Sequence, residues 1–221
     1  MWESSLLTLP SALTSCRFCT IADRPEQVAA HDRPFLADQQ YFAIASIGAL
    51  VDGWSLVCTK EHRLNVSPRY GDANFLGFVR KVARLAQQNY GGTPVIFEHG
   101  VSYAGSPTGC GTDHAHVHVV PFDDSIERKL RSENAGWISL PLELARSVCG
   151  DGEYLLYCGN VLEANPVALV RPLSQPISQF FRKLIATTIG REANCNYTDF
   201  QYFERASEAA SILQRVATAP V

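Results

Sequence analysis

No run of about 18 uncharged apolar residues occurs in the 221-residue sequence, so no segment reads as a membrane-spanning helix. The first residues, Met1-Trp2-Glu3-Ser4-Ser5, lack the basic start and sustained apolar stretch of a secretory signal, which predicts a cytoplasmic protein. Positive charge is not in surplus. With 19 Lys and Arg against 22 Asp and Glu the net charge is -3, so no overall field gathers phosphodiester chains and long nucleic acid is a poor partner. A disulfide framework is also missing: the cysteines number seven, and Cys58, Cys110, Cys149, Cys158 and Cys195 are scattered without framework spacing. Reduced thiols are expected, and no internal repeat or low-complexity stretch is visible.

What is present is 46% hydrophobic content, enough for a sizeable core in one large domain or one domain with an extension. Gln40 to Ala45 and Trp54 to Cys58, on either side of Asp52-Gly53, read as a β-hairpin. From Asp72 the apolar residues Phe75, Phe78, Val79, Val82 and Leu85 keep helical spacing until Gly91-Gly92. Strands are expected at Pro94 to Glu98 and His114 to Val120, with a loop between them holding Gly100, Gly105, Pro107, Gly109 and Gly111. About Gln27 to Pro121 thus reads as an antiparallel α+β unit. Beyond Asp124 come a charged stretch at Glu127 to Arg131, a helix near Leu142 to Val148, and strands at Tyr154 to Tyr157 and Val167 to Val170. A helix with Ile177, Phe180, Phe181, Leu184, Ile185 and Ile189 and a last one with Ala209, Ile212, Leu213 and Val216 complete the chain. The sequence leaves open whether this half is a domain of its own or packs on the first sheet.

Half of the six histidines lie in His114-Ala115-His116-Val117-His118. Alternate side chains of a strand share a face, so this spacing predicts a row of imidazoles backed by Ala115, Val117 and Val119. For a lone histidine a coincidental polar face is the ordinary reading. Three in register after a glycine-rich loop point instead to phosphate chemistry, because such loops bring backbone N–H groups close to phosphate oxygens. Imidazole is a nucleophile at neutral pH and can carry a covalent intermediate.

The pattern His114-x-His116-x-His118-Val119-Val120-Pro121 resembles the signature of the histidine triad (HIT) superfamily of nucleotide hydrolases and transferases. The order upstream is similar too: Cys16-Arg17-Phe18-Cys19, then Gly53-Trp54-Ser55-Leu56-Val57-Cys58-Thr59-Lys60-Glu61-His62, then helix, glycine-rich loop and triad. The resemblance spans roughly residues 16 to 121. It implies a HIT-like antiparallel sheet with flanking helices over residues 1–124, and leaves 125–221 as an α/β C-terminal extension. It implies that His116 attacks the α-phosphorus of a nucleotide-like small molecule, that His118 assists, and that the protein pairs as a homodimer. A histidine rather than glutamine at position 118 resembles the hydrolase branch, so water is the expected acceptor. Two alternatives stand beside it: nucleotidyl transfer to another acceptor, and a zinc-ordered nucleotide-binding module with little turnover.

Cys16-x-x-Cys19 alone is a redox pair, a pair of core thiols or half of a metal site. Bacterial members that the chain resembles complete a Cys2His2 site with residues matching His62 and His114, which implies structural Zn2+ on Cys16, Cys19, His62 and His114. Several positions depart from the family pattern. Ser46 stands where an aspartate or asparagine commonly holds the ribose, Trp54 replaces a histidine, Thr59 replaces a proline, and Gly109-Cys110-Gly111-Thr112 replaces an alanine-glycine-glutamine segment. The substrate-binding candidates are Ser46, His99, Cys110, Gly111 and Thr112. For His99 a backbone-bonded loop histidine, and for Cys110 a small residue chosen for room, are equally good readings, and for Thr112 a turn-stabilising hydroxyl is the more ordinary one. Gln179 and Arg182, three apart on one expected helix, read as solvated, with a phosphate clamp as the alternative.

Overall fold

The structure, a computed structural model, describes residues 16–122, 125–132 and 136–218. The expected leader before Cys16 and the boundary at Asp124 lie outside the described residues. In chain order the elements are α1 (Arg17–Asp23), β1 (Leu36–Ala37), β2 (Tyr41–Ala45), β3 (Ser55–Thr59), α2 (Ala73–Tyr90), β4 (Thr93–Gly100), β5 (His116–Phe122), α3 (Ser125–Ser132), β6 (Ile138–Pro141), α4 (Arg146–Cys149), β7 (Tyr154–Cys158), β8 (Val167–Pro172), α5 (Phe180–Thr188) and α6 (Phe203–Thr218). All eight described strands form one sheet in the order β1-β2-β3-β5-β4-β7-β8-β6, and every pairing is antiparallel. The α+β class with flanking helices is therefore what the chain forms. No described helix is long and apolar enough to cross a membrane.

The hairpin forms as its sequence dictates, with Tyr41 opposite Thr59 and Ala45 opposite Ser55. α2 starts where Asp72 caps it, its carboxylate accepting the Asn74 N–H at 2.9 Å, and ends at Gly91 with φ +74°. Its apolar stripe, Phe75, Val79 and Val82, packs with Val57, Ile96, Val117 and Val119 on one face of the sheet. Burying each such side chain stabilises the fold by roughly 1.5–3 kcal/mol. The opposite face has two covers. α1 lays Phe18 and Ile21 on Phe42, Ile44 and Leu56, while α5 lays Phe181 and Ile185 on Val95, Phe97 and Tyr157. A gap remains between these helices over the middle of β5. α6 packs against β2 and α2, with Ala206 and Ala210 on Ala45.

The α2 face contains one buried carboxyl. Glu98, 1% exposed on β4, accepts hydrogen bonds from Tyr70 Oη at 2.7 Å, Tyr154 Oη at 2.6 Å and the Val66 N–H at 2.7 Å. Burial nevertheless pushes its pKa up to about 7, the three donors only partly offsetting the desolvation. Gly100 makes room for Tyr154: a Cβ there would sit 2.1 Å from the ring.

Several elements differ from expectation. β5 begins at His116, not His114, because the backbone at Ala115 is turned to bond Arg63 O and Thr59 N while His114 is drawn aside. β4 runs on to Gly100, so His99 is a strand residue and not a loop residue. The helix expected near Leu142 to Val148 is a 3-10 turn at Leu142–Leu144 followed by the short α4. α5 begins only at Phe180: Gln179 is left-handed at φ 56°, which breaks the apolar run and leaves Ile177 outside the helix.

Candidate active site

Antiparallel pairing of Phe97 with His118 puts both on the face left open between α1 and α5, and alternation adds His99 and His116. Above them is a cavity of about 510 Å³. His116 and His118 are adjacent, with ring centroids 5.0 Å apart, and His118 stacks on Phe97 at 4.5 Å with an 18° tilt. Ser46, His99, Cys110, Gly111 and Thr112 all line the same cavity, so the structure brings the five substrate-binding candidates together with two histidines of the triad.

Hydrogen bonds fix the tautomers. His116 Nδ1 lies 2.7 Å from the His114 carbonyl, which only accepts, so the proton is on Nδ1 and Nε2 keeps its lone pair. Trp54 Nε1–H donates to His118 Nδ1 at 2.9 Å, placing the proton of that ring on Nε2. His99 Nε2 accepts the Phe181 N–H at 3.4 Å. All three histidines are held below the usual imidazole range. Burial lowers His99 to about 3, with the charge of His116 adding to it. Burial likewise lowers His116, helped by Arg17 and opposed by the bond to His114, and lowers His118 together with His116, His99 and Arg182. The rings are therefore neutral at physiological pH.

The loop before β5 supplies donors. Cys110 takes a left-handed conformation at φ 54° and Gly111 follows at φ +82°, closing a turn in which Thr112 N–H bonds Gly109 O at 3.0 Å. No described residue accepts the Gly111 N–H, and Gly111 lines the cavity. The Cys110 thiol accepts the Gln179 N–H at 3.1 Å, and burial raises its pKa, so it is a packed thiol and not a reactive one. Ser46 Oγ bonds the Ile47 carbonyl at 3.2 Å.

Beside the histidines a second group forms. One ligand atom from each of Cys16, Cys19, His62 and His114 lies within 4.8 Å of the others. Cys16 Sγ and Cys19 Sγ are 3.3 and 3.6 Å from His114 Nδ1, and Cys19 Sγ is 3.3 Å from His62 Nδ1. A tetrahedral ion with the usual Zn–S and Zn–N lengths needs sulfur-to-nitrogen edges of about 3.5 Å, so these donors fit. His114, 1% exposed, bonds the Thr59 carbonyl through Nε2 at 2.7 Å, which frees Nδ1 to face the sulfurs. The group can thus hold a metal ion.

The residues that sequence reasoning missed come mostly from the second half. Arg182, expected to be solvated, is 7% exposed and lines the cavity. Its guanidinium donates to the carbonyls of Cys195, Gly48 (2.5 Å) and Asn194 (3.0 Å), and no described carboxylate pairs with it. Tyr197 Oη donates to Cys110 O at 2.8 Å, and Gly48 N–H bonds Gln201 O at 2.5 Å, so the segment around 194–201 closes one side of the cavity. For Arg182 the three-residue spacing from Gln179 offered a clamp only as the alternative reading, and no local signal marks the segment around 194–201. Phe97 was within reach of the period-2 rule, two residues before His99 on one strand.

No protein-family model matches the sequence, and no curated protein matches it. Among solved structures, the chain is similar to a HIT family hydrolase from Clostridium thermocellum, with 24% identity over 53% of this chain and 96% of that one and a TM-score of 0.37. It is also similar to a hypothetical histidine triad nucleotide-binding protein from Sulfolobus tokodaii, with 17% identity over 90% of this chain and 95% of that one and a TM-score of 0.36.

Proposed function

We propose that the cavity hydrolyses a nucleoside 5′-phosphoryl compound through a nucleotidyl adduct on His116. The carrying observation is the His116 Nδ1–H bond to the His114 carbonyl, which turns an unprotonated Nε2 toward the cavity. Nε2 gives its lone pair to phosphorus, the bond to the leaving group breaks, and that group departs with the pair. Water then attacks the adduct, the N–P bond breaks with its pair returning to Nε2, and a water proton goes to solvent. The Gly111 N–H and the His118 Nε2–H stabilise charge on the phosphoryl oxygens. His99, Ser46, Cys110 and Thr112 shape the walls.

In the same reading Zn2+ sits on Cys16, Cys19, His62 and His114 as a structural ion. Four protein ligands leave no open position, and the ion ties α1 to the backbone that carries the nucleophile. Residues 1–124 carry the chemistry, 125–221 shape the cavity, and the protein works as a homodimer. The test is rapid quenching into alkaline denaturant, where an N–P bond survives, after mixing with labelled dinucleoside polyphosphate, nucleotide sugar or nucleoside phosphoramidate. An adduct present in the wild type and lost in His116→Asn supports the proposal. No adduct from any of the three, with nucleotide bound, makes the protein a binding module instead.

A further inference from the structure

We propose that Trp54 is a positioning residue that holds His118 with its proton on Nε2, and that the cavity consequently cleaves phosphoanhydrides in preference to phosphoramidates. The substrate half of this inference rests on the reading of His116 as nucleophile.

An indole N–H donates and never accepts, so the 2.9 Å contact requires a lone pair on His118 Nδ1. The pair of rings cannot rearrange easily. Trp54 is 2% exposed and lies edge-on to Phe97 at 5.5 Å, and Phe97 also stacks on His118 at 4.5 Å, so the three rings pack against one another. Adding a second proton to His118 would set N–H against N–H. It would also place a positive charge facing His116, His99 and Arg182, with no described carboxylate in contact to balance it. His118 therefore offers a hydrogen bond from Nε2 and cannot give that proton away without becoming an imidazolate.

The other titratable groups lining the cavity are engaged elsewhere: His62 and Cys16 belong to the metal-donor group, Tyr197 Oη donates to the Cys110 carbonyl at 2.8 Å, and the Arg17 guanidinium donates to Asp32. His99 is neutral. The Cys110 thiol is directed to the Thr108 carbonyl at 3.4 Å. The Asp113 carboxylate, the acidic side chain lining the cavity, accepts the Gly105 N–H at 2.9 Å. When His116 Nε2 forms its bond to phosphorus, the electron pair of the broken bond must rest on the leaving group. A phosphate or diphosphate oxygen keeps that pair as a stable anion, because its last proton comes off near neutrality. An amine nitrogen does not, and needs a proton within the step. The structure supplies the charge-stabilising donor and withholds the proton.

Two measurements on the full chain, purified with its metal, test the two halves separately. Long-range proton–nitrogen NMR of 15N-labelled protein, with His118→Gln for assignment, is expected to show His118 with a bare Nδ1 and a protonated Nε2. Trp54→Phe, which keeps the aromatic packing and removes the donor, is expected to give a mixture of tautomers. A protonated Nδ1 in the wild type, or an unchanged tautomer in Trp54→Phe, overturns the positioning role. The second measurement compares kcat/KM for one nucleoside carrying either a diphosphate or an amine leaving group. A preference for the anhydride on the order of 10²–10⁴, the usual share of general acid catalysis, is expected. Equal rates overturn the preference. No turnover and no adduct with either compound defeats the preceding proposal and this preference with it, while the tautomer is still decided by the spectrum.

Discussion

Replacing Glu98 by glutamine should change how stability depends on pH more than it changes stability at any one pH. The carboxyl sits on β4 under Tyr70 and Tyr154, and burial raises its pKa from 4.5 to about 7. A raised folded-state value means that the native protein binds the proton more tightly than the unfolded chain does. The resulting stability is fully present below about pH 4.5 and is lost as pH rises through about 7. A shift of this size corresponds to about 3 kcal/mol, and most of it should disappear between about pH 5 and pH 8. His99 and His118 act in the opposite sense: their lowered values give stability above the ordinary imidazole range that is lost as pH falls. Those contributions are common to wild type and Glu98→Gln, so the difference between the two isolates the carboxyl. Urea unfolding followed by tryptophan fluorescence at several pH values is the assay. The wild type should lose about 2–3 kcal/mol relative to the variant on going from about pH 5 to pH 8. Parallel profiles would refute the reasoning, since Glu98 would then be ionised in the fold at the same pH as in the unfolded chain.

Three further outcomes are expected. Protein purified without added metal should contain about one zinc per chain by metal analysis, and Cys16→Ser should lose it and melt at a lower temperature. Arg182→Lys cannot reach three carbonyls from one ammonium, so it should cost on the order of 2–3 kcal/mol by denaturant unfolding and loosen the segment at 194–201, read by hydrogen exchange. Gly100→Ala drives a methyl group into the Tyr154 ring, 2.1 Å away, and should destabilise by about 3 kcal/mol in the same unfolding assay; a neutral effect would show that the ring can move.

Much of this arrangement was legible because the signals are local. The spacing of the triad places His116 and His118 on one face, Asp72 and Gly91 bracket α2, and the CxxC pair with His62 and His114 makes a donor set that the fold closes. The order of side chains on a strand needs no tertiary information. α1 was missed because its seven residues carry no side-chain cap, and β6 because it is a short, largely exposed edge. Arg182 illustrates the deeper limit. Its sequence neighbourhood is that of any amphipathic helix, and only the approach of Gly48, Asn194 and Cys195 turns a solvated cation into a buried clamp. Gln179 fails differently, since its left-handed backbone goes with a bond to Cys110, a residue far away in the chain.

The pairing of β4 with β7 has a consequence for how the chain can be cut. Ile96 to Gly100 meet Tyr154 to Cys158 along a full antiparallel ladder in the middle of the sheet. A fragment ending before β6 would keep every histidine of the cavity and all four cysteine and histidine donors beside it, yet it would expose the bare amide row of β4 to any other strand in solution. Such a fragment is expected to aggregate, with β4 as the point of attachment.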